Sequence, residues 1–165
     1  MPLIVVESPT KVKTLARLLD SGWDFAVTKG HLYDLPADSM GIGEDYEPQW
    51  VPQKGSAVGS IRSAAKDHTE IYVASDPDRE GEAIAWQVEN LVLKQKSTRR
   101  VRLESLTESE VEEELSRNGH TNTALVRAQW ARRVLDRLAG YKVSPFLMNA
   151  FNGKRLSAGR VQSAV

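Results

Sequence analysis

The stretch Asp76-Pro77-Asp78-Arg79-Glu80-Gly81-Glu82 places four carboxylates in seven residues, directly behind the apolar run Ile71-Tyr72-Val73-Ala74. A short apolar run of this kind reads as a buried strand. Asp76, Asp78 and Glu80 then stand at its carboxyl end, where open α/β sheets bind their ligands. Carboxylates held this close repel one another unless a cation neutralises them. Hard oxygen donors suit Mg²⁺, which is commonly held by one or two carboxylates, waters and substrate phosphates. An acidic turn is otherwise a solvated loop. Alternate spacing, the strand before it and Gly81 at the turn favour a metal site acting on phosphates.

Three further groups bear on that chemistry. Glu7 closes a second apolar run, Leu3-Ile4-Val5-Val6, and Lys11 follows one helical turn later. In a doubly wound sheet two strand ends can be neighbours across the switch point. Glu7 could then hold or donate a proton, and Lys11 could neutralise a phosphate. Arg132 lies seven residues after Leu125 and three before Leu135, on a predicted apolar stripe where a charge is costly. Asp136, four residues on, is within pairing distance. Two readings stay open: a buried Arg–Asp pair that stitches helix to sheet, or a guanidinium held rigid and aimed at phosphate. Arg133 and Arg137 are expected on the adjoining face, where they could follow the backbone of a polyanion. Finally, Ser157-Ala158-Gly159-Arg160-Val161-Gln162 combines small residues with Arg and Gln, which suits backbone and side-chain contacts to phosphate.

The elements that must position these groups follow from the pattern. Leu3–Val6 and Ile71–Ala74 are continuous apolar runs, as for parallel strands buried on both faces. Pro9 disfavours helix at Ser8, and Thr10 is the expected cap of a helix burying Val12, Leu15, Ala16 and Leu19. Trp23–Val27 reads as another strand. Residues 30–56, rich in Gly, Pro and Asp, read as a long ordered loop. Ile61, Ala64 and Ala65 suggest a helix. A mostly apolar helix is predicted from Ala83 to about Leu93, and an edge strand around Val101 and Leu103. Thr107-Glu108-Ser109-Glu110 has the form of a capping box, with Val111 and Leu115 behind it. Asn118-Gly119 is the expected end of that helix. A further helix from Asn122 to about Leu138 is predicted to bury Leu125, Ala128, Leu135 and Leu138. The alternation of strands and helices predicts α/β architecture with a parallel sheet flanked by helices.

Composition narrows the function classes. The chain has 165 residues, 41% hydrophobic and 27% charged, which is ordinary for a soluble globular protein. It contains no cysteine, which excludes disulfides, thiolate zinc sites and cysteine nucleophiles. No apolar run approaches the ~20 residues of a membrane span. The N-terminus lacks the basic region of a signal peptide. A cytoplasmic location and no membrane partner are expected. The net charge of zero hides an asymmetry. Residues 1–116 hold 21 acidic and 13 basic side chains, whereas residues 117–165 hold 9 basic ones and Asp136 alone as an acid. The split suggests an acidic half that holds metal and a basic half that touches a polyanion; a basic patch without a partner would leave the same trace.

Five segments together resemble the N-terminal part of type IA DNA topoisomerases, bacterial ones above all. They are VESPTK (6–11), GHLYDLP (30–36), ASDPDREGEAIAW (74–86), AQWARRVLDRLAGYKVSP (128–145) and LSAGRVQSAV (156–165). An acidic pair alone is shared across the Toprim superfamily; five ordered segments are more specific. The resemblance implies a Toprim (Rossmann-like) catalytic domain over 1–116 and the first helices of a mainly α single-stranded-DNA-binding domain over 117–165. It implies Mg²⁺ at Asp76 and Asp78 with Glu7 and Glu80 close by, Glu7 as general acid and Lys11 as phosphate stabiliser. It assigns DNA contacts, direct or supporting, to His31, Arg132, Arg133, Asp136, Tyr141 and residues 157–162. The implied activity is relaxation of negatively supercoiled DNA by transient single-strand cleavage, by a monomer. Another Toprim enzyme, such as a primase or nuclease, and a non-catalytic single-strand-binding module are the alternatives. Two departures stand out. Ser105 occupies the place of an acid in the family's Phe-x-Glu-Ile-Thr pattern. The family's nucleophilic tyrosine lies in a later segment, and Tyr33, Tyr46, Tyr72 and Tyr141 have a different context, so this chain alone is expected not to cleave DNA. It ends inside a family segment, which predicts a longer parent protein.

Overall fold

The structure, a computed structural model, describes residues 1–94 and 96–151. In chain order the elements are β1 (Leu3–Val6), α1 (Pro9–Leu18), β2 (Asp24–Val27), β3 (Tyr33–Asp34), β4 (Val51–Pro52), α2 (Val58–Ala65) and β5 (Ile71–Ser75). There follow α3 (Arg79–Gln87), continued by a π-helical stretch Val88–Leu93, then β6 (Thr98–Arg102), α4 (Glu108–Ser116) and α5 (Thr123–Ala150).

Four strands form one parallel sheet in the order β2-β1-β5-β6. Successive side chains of a strand point to opposite faces, and β1 and β5 are apolar at nearly every position, so both faces are covered. Leu3, Val5, Ile71 and Val73 pack with Ile61 of α2 and Ala85 of α3 on one side. Ile4, Val6, Tyr72 and Ala74 pack with Leu15 of α1 and Val111 of α4 on the other. The expected α/β sheet flanked by helices is thus present, with β6 at its edge. The chain leaves β1 for β2 and then crosses back to β5 on the other side of β1. The carboxyl ends of β1 and β5 therefore form a switch point, the usual ligand crevice of such sheets.

Local details depart from the sequence expectations for physical reasons. The cap of α1 is Ser8, not Thr10: its hydroxyl accepts the Lys11 N–H at 3.3 Å, and Pro9 takes the first helical position, where its fixed φ is pre-organised. Of the residues expected on its buried face, Leu15 is buried and Ala16 is exposed. Helix α3 starts at Arg79 rather than Ala83, so half of the acidic run is helical. The loop at 30–56 contains the antiparallel pair β3–β4. Thr107 stands at the N-cap of α4 without a side-chain cap bond. Glu110 reaches past it, accepting the Glu104 N–H at 3.0 Å and the Ser105 N–H at 2.9 Å. Helix α4 ends at Ser116, before Asn118-Gly119, and the Gly119 carbonyl accepts the Arg100 N–H instead.

The largest correction concerns α5, which runs on through Pro145 to Ala150. Its buried residues are Val126 and Val134, not the predicted Leu125–Leu138 stripe, and Leu135 is 56% exposed. The helix is rotated because Trp130, Arg133 and Arg137 make its contacts. Long side chains with polar tips cover apolar surface as effectively as leucine does, and hydropathy counting misses that.

Candidate metal and nucleic-acid site

The sheet register sets Val6 level with Ala74, so the next residues of β1 and β5 emerge side by side. Glu7 Oε1 accepts the Asp76 backbone N–H at 2.8 Å. Lys11 arrives from the first turn of α1 and donates to Asp76 Oδ1 at 2.6 Å, with Glu7 Oε2 3.5 Å away. The two strand-end acids thus share one cation, although they are 69 residues apart in sequence. Asp76 keeps 52% of its side chain exposed, so this contact can exchange with solvent or ligand. Asp78 is the N-cap of α3, its Oδ1 accepting the Gly81 N–H at 2.7 Å. Carboxylates are favoured at a helix N-terminus by the exposed N–H groups and the helix dipole. Gly81 permits this turn, because a Cβ there would overlap the Asp76 carbonyl oxygen. Among the described residues no three His, Asp or Glu side chains converge as a metal cage. The donor set still fits Mg²⁺, which needs only one or two carboxylates.

Behind the site lies a buried ionic joint. Glu82, on α3, and Arg100, on β6, are both fully buried and paired at 3.0 Å. Arg102 adds a second contact to Glu82 at 3.0 Å, and the other carboxylate oxygen accepts the N–H of Asn122, the cap of α5. Burial alone would lower the Arg100 pKa; the charge and hydrogen bond of Glu82 act against that but do not reverse it. One carboxylate therefore ties the helix after the acidic turn to the edge strand and to the start of α5.

The loop after β2 closes the other side. Lys29 and Gly30 take positive φ (58° and 96°), reversing the chain toward α3. Buried Gln87 of α3 accepts the N–H groups of Leu32 and Tyr33 and donates to the Tyr33 carbonyl. Arg133 then clasps Asp34 with two donors, one at 2.7 Å. Burial alone would raise the Asp34 pKa, but the Arg133 hydrogen bond, the Leu35 N–H and the Arg133 and Arg137 charges hold it below the usual carboxylate value. Arg137 donates to the carbonyls of Leu35, Pro36 and Ser39, and the Tyr141 hydroxyl donates to Ala37. Between this seam and α3 lies a cleft of about 360 Å³.

The predicted site residues therefore divide. Glu7, Lys11 and Asp76 come together. Glu80, His31, Arg132 and Asp136 line the cleft, with Asp78 between the two sets as a helix cap. Arg132 makes no hydrogen bond or ion pair among the described residues. Arg133 and Arg137, expected on an open face, are committed to the loop, as is Tyr141. Residues 157–162 lie outside the described residues.

A Toprim domain model matches residues 2–106, nearly two thirds of the chain. The chain belongs to the Toprim family. A second model, described as DNA topoisomerase, matches residues 120–165. The Toprim chain is 42% identical over 99% of its length to "DNA topoisomerase I, plasmid" of Xylella fastidiosa (strain 9a5c), of which it spans 25%. It superposes on full-length topoisomerase I from Thermotoga maritima with a TM-score of 0.87 and 38% identity, covering 98% of this chain and 28% of that one. It thus spans about a quarter of the length of these relatives. Sequence reasoning passed over Glu82, Arg100, Gln87, Asp34 and the cleft tryptophans. A polar residue inside an otherwise apolar helix, such as Gln87, was the available signal.

Proposed function

We propose that this Toprim chain is the metal-binding and phosphate-positioning part of a type IA DNA topoisomerase acting on single strands of negatively supercoiled DNA. The supporting observation is the meeting of Glu7, Lys11 and Asp76 at the switch point. Residues 1–116 would form the Toprim unit, and residues 117–165 would begin the helical DNA-binding domain. Asp76 and Asp78 would hold Mg²⁺ with Glu7 and Glu80 at hand, and the ion, when bound, would neutralise phosphate oxygens. The Lys11 ammonium would pass from Asp76 to the phosphate. The Glu7 carboxyl would give a proton to the leaving 3′ oxygen. The cleft beside Glu80, with His31, Arg132 and Asp136, would guide the strand, and Ser157, Ala158, Gly159, Arg160, Val161 and Gln162 would add backbone contacts. The nucleophile would come from another segment. Tyr33 donates its hydroxyl to Leu91, Tyr72 to Glu70 and Tyr141 to Ala37, while Tyr46 sits on an exposed turn.

The test is calorimetric titration of Mg²⁺ into the chain with a single-stranded oligonucleotide. Binding should be lost in the Asp76→Asn, Asp78→Asn double variant; undiminished binding would refute the metal assignment. A covalent 5′-phosphotyrosyl adduct formed by this chain alone would refute the missing nucleophile. One rival reading is a non-catalytic single-strand-binding module. That reading requires oligonucleotide affinity indifferent both to Mg²⁺ and to Asp76→Asn.

A further inference from the structure

One part of the cleft is unused by this chemistry. Its wall carries two tryptophans: Trp130, from α5, and Trp50, from the residue before β4. Trp130 is held from behind by Trp86 of α3, edge-on at 4.6 Å between ring centroids. Trp50 completes the row, tilted by 56° against Trp130 at 5.7 Å. Trp50 is only partly buried, is flanked by exposed Gln49 and Val51, and extends the aromatic surface along the cleft rather than into the core. Beside it, the side-chain polar atoms Trp130 Nε1 and Gln129 Oε1 are buried without a hydrogen-bond partner among the described residues. Such groups are costly unless something satisfies them. Arg132, three residues after Gln129, also lines the cleft and supplies positive charge. An aromatic surface with cationic charge alongside is the arrangement by which proteins hold unpaired bases, since every base has a π-face.

We propose that Trp50 and Trp130 form a stacking wall for one unpaired nucleobase of the strand in the cleft, with Gln129 within reach of the base edge. The inference rests on the single-stranded-DNA reading above and adds to it the residues that grip a base rather than a phosphate. A stacked base contributes enough that removing the ring weakens binding roughly 5- to 150-fold.

The experiment follows intrinsic tryptophan fluorescence and anisotropy as the chain is titrated with a mixed-sequence single-stranded oligonucleotide, and with copies abasic at one position each. Wild type should show quenching and lose affinity by that factor for one abasic position. Trp50→Ala should lose about the same factor with the intact oligonucleotide and no more with the abasic one, while Trp50→Phe should keep most of the affinity. If the oligonucleotide binds but neither Trp50→Ala nor any abasic position matters, the stacking wall is refuted and the DNA reading stands. If no oligonucleotide binds, both fail. Should Trp50→Ala not fold by circular dichroism, the wild-type abasic series and Trp50→Phe decide the question.

Discussion

The strand-end site and the seam between α5 and the loop both consist of opposite charges brought together over long sequence distances, yet they are built differently. At the strand ends a single flexible ammonium serves two carboxylates, one of them half exposed. At the seam, planar guanidinium groups are fixed by a two-donor clasp on Asp34 and by three backbone carbonyls. The first arrangement can trade partners at little cost, as exposed ion pairs contribute about 0–1 kcal/mol. The second is held more firmly, because withdrawing either guanidinium gives up two or three hydrogen bonds at once. Charge in the sequence therefore does not mark function here; the degree to which a charge is already committed does. Arg132 and Arg133 are adjacent, and only Arg133 is committed.

The comparison is broken most directly at its buried extreme. Glu82→Ala leaves the Arg100 guanidinium buried and unpaired, and should cost about 3–5 kcal/mol in urea unfolding; a loss under about 1 kcal/mol would show that the joint is not structural. Asp34→Asn should cost less, about 1.5–3 kcal/mol, as charge-assisted hydrogen bonds at the seam are lost. Its pH dependence follows from the depressed folded pKa of Asp34. The stabilisation is fully present above the unfolded carboxylate value of about 3.9, and it is lost as pH falls through the lower folded value. Thermal melts of wild type and Asp34→Asn should therefore converge in strong acid, and a constant gap down to the lowest pH would contradict the clasp. Lys11→Ala, at the exchangeable site, should change stability by about 0–1 kcal/mol, while Mg²⁺ affinity measured by calorimetry rises because a competing cation is gone. The smallest stability change, within about 0.5 kcal/mol, is expected for Arg132→Ala. Its effect should show in the salt dependence of oligonucleotide binding, with the slope reduced by about 0.7. An unchanged slope would make Arg132 structural after all.

Much of the fold was legible because the two central strands are written in apolar residues at nearly every position, a pattern parallel sheets impose. Glu7 and the acidic turn could be read as strand-end groups for the same reason. The rotation of α5 could not. Hydropathy treats Arg133 and Arg137 as solvent-facing, while their stems pack and their tips meet Asp34 and loop carbonyls. The capping role of Asp78 was hidden as well, because the same carboxylate serves equally as metal donor or helix cap until the start of α3 is known. Glu82 sat in plain view within the acidic run, and nothing local distinguished it from its exposed neighbours.

The sequence by itself determined the sheet, its two-sided burial and the acids at its strand ends, since these depend on short-range periodicity and residue chemistry. Only the tertiary structure decided which charges are paired and which remain available. That choice depends on partners dozens of residues away, brought within hydrogen-bond distance by strand register and helix rotation, and local pattern carries no information about either.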